Sequence, residues 1–121
     1  MFEISVESDF DAAHSLRGYE GKCESLHGHR FKVVATVKTG ETNSIGLGYD
    51  FTILKKKLNE VLARFDHVCL NEIQPFKKIN PSSENIAVTI YKELSKKLGS
   101  EIVLSAVEVW ESPQSHVVYK P

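Results

Sequence analysis

Apolar and polar residues alternate from the start of the chain. Phe2, Ile4, Val6 and Phe10 share one face, and Glu3, Ser5, Glu7 and Asp9 the other. Period-two alternation of this kind predicts a half-buried strand over residues 2–10. A polar, glycine-containing stretch follows. Phe31, Val33, Ala35 and Val37 then predict a second strand, ended by the turn-forming run Thr39-Gly40-Glu41-Thr42-Asn43-Ser44. The period changes to helical at Ile53, Leu54, Leu58, Val61, Leu62 and Phe65, with Lys55, Lys56, Lys57, Asn59 and Glu60 outside. A long connection from Asp66 to about Pro81 has little periodicity, and connections of that length are commonly functional. Ser82 or Ser83 caps a second helix carrying Ile86, Ala87, Ile90, Tyr91, Leu94 and Leu98, which Gly99 ends. An apolar strand over 102–111 and a short return strand, His116 to Lys120, flank the turn Ser112-Pro113-Gln114-Ser115. The order strand, strand, helix, helix, strand, strand predicts an α+β fold with both helices on one face of an antiparallel four-stranded sheet. Such a sheet has two open edges, and pairing them between subunits makes a homo-oligomer.

The 121 residues are expected to form a single domain, 1–121. A formal net charge of -1 argues against a nucleic-acid partner, which calls for a basic surface. No apolar run approaches the roughly 20 residues of a membrane helix. Met1-Phe2-Glu3-Ile4-Ser5 does not read as a signal peptide. The expected location is therefore the cytoplasm, with Cys23 and Cys69 reduced.

The chemistry concentrates in Cys23-Glu24-Ser25-Leu26-His27-Gly28-His29. If this run feeds directly into the second strand, His27 and His29 project from one side of it. His14, just past the first strand, is carried towards them by hairpin pairing. Three neutral imidazoles suit zinc and leave one coordination position open, as catalytic zinc sites do. The competing reading makes His27 and His29 polar residues flanking a turn; the third histidine favours the metal. Cys23, with polar neighbours, is a fourth ligand or a base or nucleophile beside the open position, and the residues leave that choice open. Cys69, inside Val68-Cys69-Leu70, reads as core filler. Asp66-His67 is either a proton-relay pair or a helix-terminal cap, and His116 reads as a surface residue. Glu111 shares a strand face with Val107 and Val109. A carboxylate there needs a partner, either a salt bridge or a two-donor group such as the 2-amino and ring N–H of a pterin.

Six segments, in order, resemble the 6-pyruvoyl-tetrahydropterin synthase superfamily and, within it, the 6-carboxy-tetrahydropterin synthase branch. They are Phe10-Asp11-Ala12-Ala13-His14, Cys23 to His29, Asp50-Phe51, Asp66-His67 with Leu70-Asn71, Pro81-Ser82-Ser83-Glu84-Asn85, and Val109-Trp110-Glu111. The short Cys23–His27 spacing is similar to the bacterial carboxy branch. The resemblance implies the tunnelling fold, a ββααββ unit that oligomerises into a barrel, as a trimer or dimer of trimers with active sites at subunit interfaces. It implies Zn2+ held by His14, His27 and His29, Cys23 as general base, and Asp66 and His67 as relay partners across an interface. Glu111 would anchor the pterin, with Ser82 and Ser83 in hydroxyl contact where the family usually has threonine. Phe31 stands where the family often has tyrosine, which keeps the ring and loses a hydroxyl. The implied reaction converts 7,8-dihydroneopterin triphosphate to 6-carboxy-5,6,7,8-tetrahydropterin, releasing acetaldehyde and triphosphate and feeding queuosine and related deazapurines. The alternatives are the 6-pyruvoyl product from the same substrate, aldolase-type cleavage of dihydroneopterin, and a non-catalytic metal- or pterin-binding module.

Overall fold

The computed structural model describes residues 1–19 and 25–121. Strand β1 runs Phe2–His14 and β2 His27–Thr39; they are followed by helix α1, Phe51–Leu62, and a two-residue strand β3, Val68–Cys69. A single 3-10 turn, Leu70–Glu72, leads towards helix α2, Ser83–Leu98, and then to β4, Val103–Ser112, and β5, Ser115–Tyr119. The sheet order is β3-β1-β2-β4-β5. The α+β arrangement matches expectation, with one correction. The sheet has five strands, because β3 pairs in parallel with Ala12 and Ala13 of β1. Two residues are too few for a periodic signal, which is why Val68-Cys69 reads as loop in the sequence.

Both long strands extend further than their apolar residues suggest. β1 continues through Ala12 to His14, so His14 ends the strand rather than lying past it. Its antiparallel pairing with β2 runs in register from Phe2 opposite Thr39 to His14 opposite His27. The helix-facing side carries Phe10, Ala12 and His14 from β1 and Phe31, Val33, Ala35 and Val37 from β2, all buried. From β4 it takes Leu104, Val107 and Val109.

Each helix covers this face with most of the residues its period predicts, the exception being Ile53, which sits at the margin of the apolar stripe and is exposed. Asp50 caps α1 by accepting the Thr52 N–H at 2.8 Å, and Leu54, Leu58, Val61 and Leu62 are buried. Phe65, expected on the helix, reaches the core from the turn after it. Ser82 caps α2 by accepting the Asn85 N–H at 3.1 Å. The helix stops at Gly99, whose φ of 58° disfavours a side chain. A different constraint acts at Gly48, where a Cβ would lie 2.8 Å from Ile4 Cδ1 and 2.9 Å from Thr39 Cγ2. No helix among the described residues is long and apolar enough to cross a membrane.

Phe31 links core and site. It is fully buried, stacks on Phe10 with centroids 5.0 Å apart, and meets His14 edge-on at 5.2 Å. Phe31→Ala should therefore cost about 3–5 kcal/mol of unfolding free energy by urea denaturation. A loss below about 1 kcal/mol would mean that the site end of the sheet collapses around the deletion.

Candidate metal centre

The apolar face of the sheet becomes polar at one end. Beyond Phe10 and Phe31, the helix-facing positions are His14 on β1, His27 and His29 on β2, and Glu111 on β4. Their ligand atoms lie within 4.8 Å of one another. The ladder explains the first three: His14 is the direct partner of His27, and His29 is two residues on along the same strand face. Glu111 comes from the neighbouring strand. The β2–β4 pairing ends at Trp110, and the β4–β5 register shifts between Trp110 and Ser112. Glu111 continues the helix-facing alternation of Val107 and Val109 one step past the pairing with β2, which brings its carboxylate to the imidazoles.

Two imidazoles have their inner nitrogens set by backbone carbonyls. Nδ1 of His14, a residue only 2% exposed, lies 2.7 Å from the Pro81 carbonyl oxygen. Nδ1 of His27 lies 2.6 Å from that of Ser25. A carbonyl only accepts, so both Nδ1 atoms carry hydrogen, and in the neutral rings both Nε2 atoms present lone pairs to the cluster. Metal-ligating histidines are oriented in this way. The Glu111 Oε1 atom stands 3.2 Å from His14 Nε2, 3.8 Å from His27 Nε2 and 3.0 Å from His29 Nε2. A carboxylate facing nitrogen lone pairs requires a proton or a cation among them. Donors around a tetrahedral ion at about 2.0–2.1 Å lie roughly 3.3–3.4 Å apart, and the observed separations bracket that value. Burial, partly opposed by Glu111 and reinforced by the other two histidines, holds His29 below its ordinary pKa of 6.5, so it is mostly neutral at pH 7 and available as a ligand. This group could hold a metal ion.

Asp66 and His67 form a second constellation. His67 adopts a positive φ of 57°, unusual for a side-chain-bearing residue. In that conformation its N–H reaches the Asp11 carbonyl at 2.6 Å, and its Nδ1 lies 2.9 Å from Asp66 Oδ2. Neighbours in sequence thus face each other through one left-handed backbone step. The other Asp66 oxygen accepts the Asp11 N–H at 2.9 Å. That hydrogen bond, followed by the one to His67, holds the Asp66 carboxyl below its ordinary range. The His67 ring is 77% exposed and lines a shallow groove with Gly28, His29, Arg30 and Cys69. Cys69 is half-buried at that groove instead of filling the core, because β3 lies at the sheet's edge.

The remaining candidates are placed as follows. Cys23 lies outside the described residues. The Ser82 hydroxyl oxygen is engaged in capping α2, and Ser83 opens that helix half-buried. They follow Pro81, whose carbonyl meets the His14 ring. His116 is exposed but not isolated: its ring stacks on Trp110 at 3.8 Å, with Lys32 on Trp110 at 4.2 Å. Sequence reasoning put Glu111 on the face of Val107 and Val109 but missed it as a member of the metal-competent group, since its meeting with the histidines depends on the pairing of β4 with β2. It also missed the carbonyls of Pro81 and Ser25.

The chain matches the family described as 6-pyruvoyl tetrahydropterin synthase over residues 3–121. It is 36% identical over 124 residues to a 6-carboxy-5,6,7,8-tetrahydropterin synthase of Synechocystis sp., covering 98% of this chain and 93% of that protein. It is 37% identical over 108 residues to a dihydroneopterin monophosphate aldolase of Pyrococcus furiosus, covering 89% and 88% of the two proteins. The Caenorhabditis elegans 6-pyruvoyl tetrahydropterin synthase structure superposes with a TM-score of 0.91 at 27% identity, covering 99% of this chain and 95% of that one. With fold and sequence in agreement along nearly its whole length, the chain belongs to the 6-pyruvoyl tetrahydropterin synthase family.

Proposed function

We propose that residues 1–121 form one catalytic domain, a zinc-dependent lyase. It converts 7,8-dihydroneopterin triphosphate to 6-carboxy-5,6,7,8-tetrahydropterin with release of acetaldehyde and triphosphate, and supplies deazapurine synthesis such as that of queuosine. The observation that carries this is the convergence of three imidazoles, two with their tautomers set by backbone carbonyls, in a protein similar along its length to 6-carboxy-5,6,7,8-tetrahydropterin synthases.

His14, His27 and His29 hold the zinc. When bound, the ion acts as a Lewis acid that makes the C–H protons on the substrate's trihydroxypropyl arm more acidic. Cys23 thiolate removes such a proton. The Asp66–His67 pair carries a proton through the exposed imidazole: the anionic carboxylate fixes Nδ1–H, which leaves Nε2 free to accept and return it. Triphosphate then leaves by elimination, and cleavage of the remaining arm with uptake of one water gives the carboxy product and acetaldehyde. Glu111, 30% exposed, accepts the ring N–H and 2-amino donors of the pterin. Ser82 and Ser83 contribute hydroxyl contacts at the same end.

Two observations favour other readings. The similarity to a Pyrococcus aldolase raises cleavage of a dihydroneopterin phosphate; Cys23, which aldolase-type members of the family tend to lack, weighs against it. The closeness of Glu111 to all three imidazoles raises a closed, four-ligand structural site. Assembly into a trimer or dimer of trimers is part of the proposal. Along β1, the outer edge ahead of Asp11 has no strand partner among the described residues.

Cys23→Ala should lower turnover of 7,8-dihydroneopterin triphosphate by about 10²-fold or more with zinc content intact. Glu111→Ala should also keep its zinc and lose pterin affinity; zinc loss in that variant would identify a fourth ligand and a closed site. Product masses decide the branch: a 6-pyruvoyl product or a glycolaldehyde fragment would replace the carboxy reading. Light scattering should return at least three times the subunit mass, and a monomer at all concentrations would contradict the assembly.

A further inference from the structure

The backbone leaving His14 is held by two side chains that imitate a strand. The Asn71 carboxamide accepts the Ser15 N–H at 2.9 Å and donates to the Ser15 carbonyl at 3.0 Å. The Asn80 carboxamide does the same for Arg17, accepting its N–H at 3.0 Å and donating to its carbonyl at 2.9 Å. Ser15 and Arg17 lie two residues apart just beyond β1, each with both its N–H and its carbonyl paired to one carboxamide. These pairings continue the edge on which Asp11 meets Asp66 and His67, and on which Ala12 and Ala13 pair with β3. The Arg17 guanidinium closes the arrangement by donating to the carbonyls of Phe76 at 2.7 Å and Ile79 at 3.3 Å.

This clamp meets the metal centre from two sides. Ser15 is bonded in sequence to His14, so Asn71 acts on the His14 backbone. Asn80 is bonded in sequence to Pro81, whose carbonyl receives the His14 Nδ1–H. The Asn80 carbonyl is held in turn by the Asn85 carboxamide N–H₂ at 2.8 Å. Both ends of the hydrogen bond that orients the His14 ring therefore depend on an asparagine amide.

We propose that Asn71 and Asn80 are positioning residues of the metal centre: by pairing with Ser15 and Arg17 they fix the backbone and the ring orientation of His14, and thereby set its metal affinity. The proposal rests on the reading of His14 as a zinc ligand. Orientation matters because only one rotation of the buried ring gives Nδ1 to Pro81 and Nε2 to the cluster. Without the clamp, the ring must be ordered by the metal itself, and the cost appears in binding.

The test is zinc affinity by chelator competition on the purified protein, four asparagine variants and one control variant. Asn71→Asp and Asn80→Asp keep the acceptor and replace the donor with an oxygen facing a carbonyl. Asn71→Ala and Asn80→Ala remove both groups without adding charge. Val37→Ala, at the far end of β2, is the control for stability lost without contact with the site. Each asparagine variant should bind zinc at least about ten-fold more weakly and show an altered Co²⁺ d–d spectrum. Val37→Ala should lose thermal stability and keep wild-type affinity and spectrum. Asparagine variants that lose stability but bind zinc as the wild type does would overturn the proposal. Failure of the wild-type protein itself to bind zinc would overturn the zinc reading, and this proposal with it, and is a separate outcome.

Discussion

The centre depends on one constraint, the register between β1 and β2. Their pairing, from Phe2 opposite Thr39 to His14 opposite His27, decides in one stroke which residues enter the core and which imidazoles meet. A shift of one residue would turn Phe31, Val33, Ala35 and Val37 to the open face, and His27 and His29 with them. Burial of those apolar side chains therefore enforces the geometry of the polar ones. The core is the template on which the metal-competent group is registered, and Phe31, touching both Phe10 and His14, is the joint between them.

Placing imidazoles and a carboxylate at the end of an apolar face carries a desolvation cost, and the structure offsets it locally. His14, nearly inaccessible, gives its Nδ1–H to the Pro81 carbonyl and faces Glu111 with Nε2, a contact that a shared proton or a cation completes. Among the described residues, no buried nitrogen or oxygen of a side chain is left without a hydrogen-bond partner. The edge of β1 is satisfied in the same thorough way. Backbone from β3, the Asp66 carboxylate and two asparagine amides take up successive groups from Asp11 to Arg17, so the edge stays paired beyond the point where strand pairing ends. That edge holds the long connection of residues 66–81 against the site, and the connection supplies both the Asp66–His67 pair and the carbonyl that orients His14.

Much of this was legible in the residues. Alternation located both long strands, helical spacing located both helices, and His27-Gly28-His29 read as two imidazoles on one face with His14 converging on them. The parts that were not legible share a physical cause. The position of Glu111 beside the histidines depends on the pairing of β4 with β2, which local alternation does not encode. The facing of Asp66 and His67 depends on one left-handed residue. Asn71 and Asn80 act through contacts with backbone more than fifty residues away, which no local pattern encodes. Cys69 looked apolar by its neighbours, yet lies half-exposed because β3 is an edge strand. Cys23 is outside the described residues, so its role rests on chemistry and resemblance alone.

The most direct test of the account is X-ray absorption at the zinc edge on the zinc-loaded protein. The account predicts a first shell of nitrogen and oxygen at about 2.0–2.1 Å, with the outer-shell pattern of three imidazoles and no sulfur. A scatterer near 2.3 Å would make Cys23 or Cys69 a ligand and contradict the assignment of Cys23 as a free base. Fewer than three imidazoles would contradict the convergence of His14, His27 and His29 on one ion.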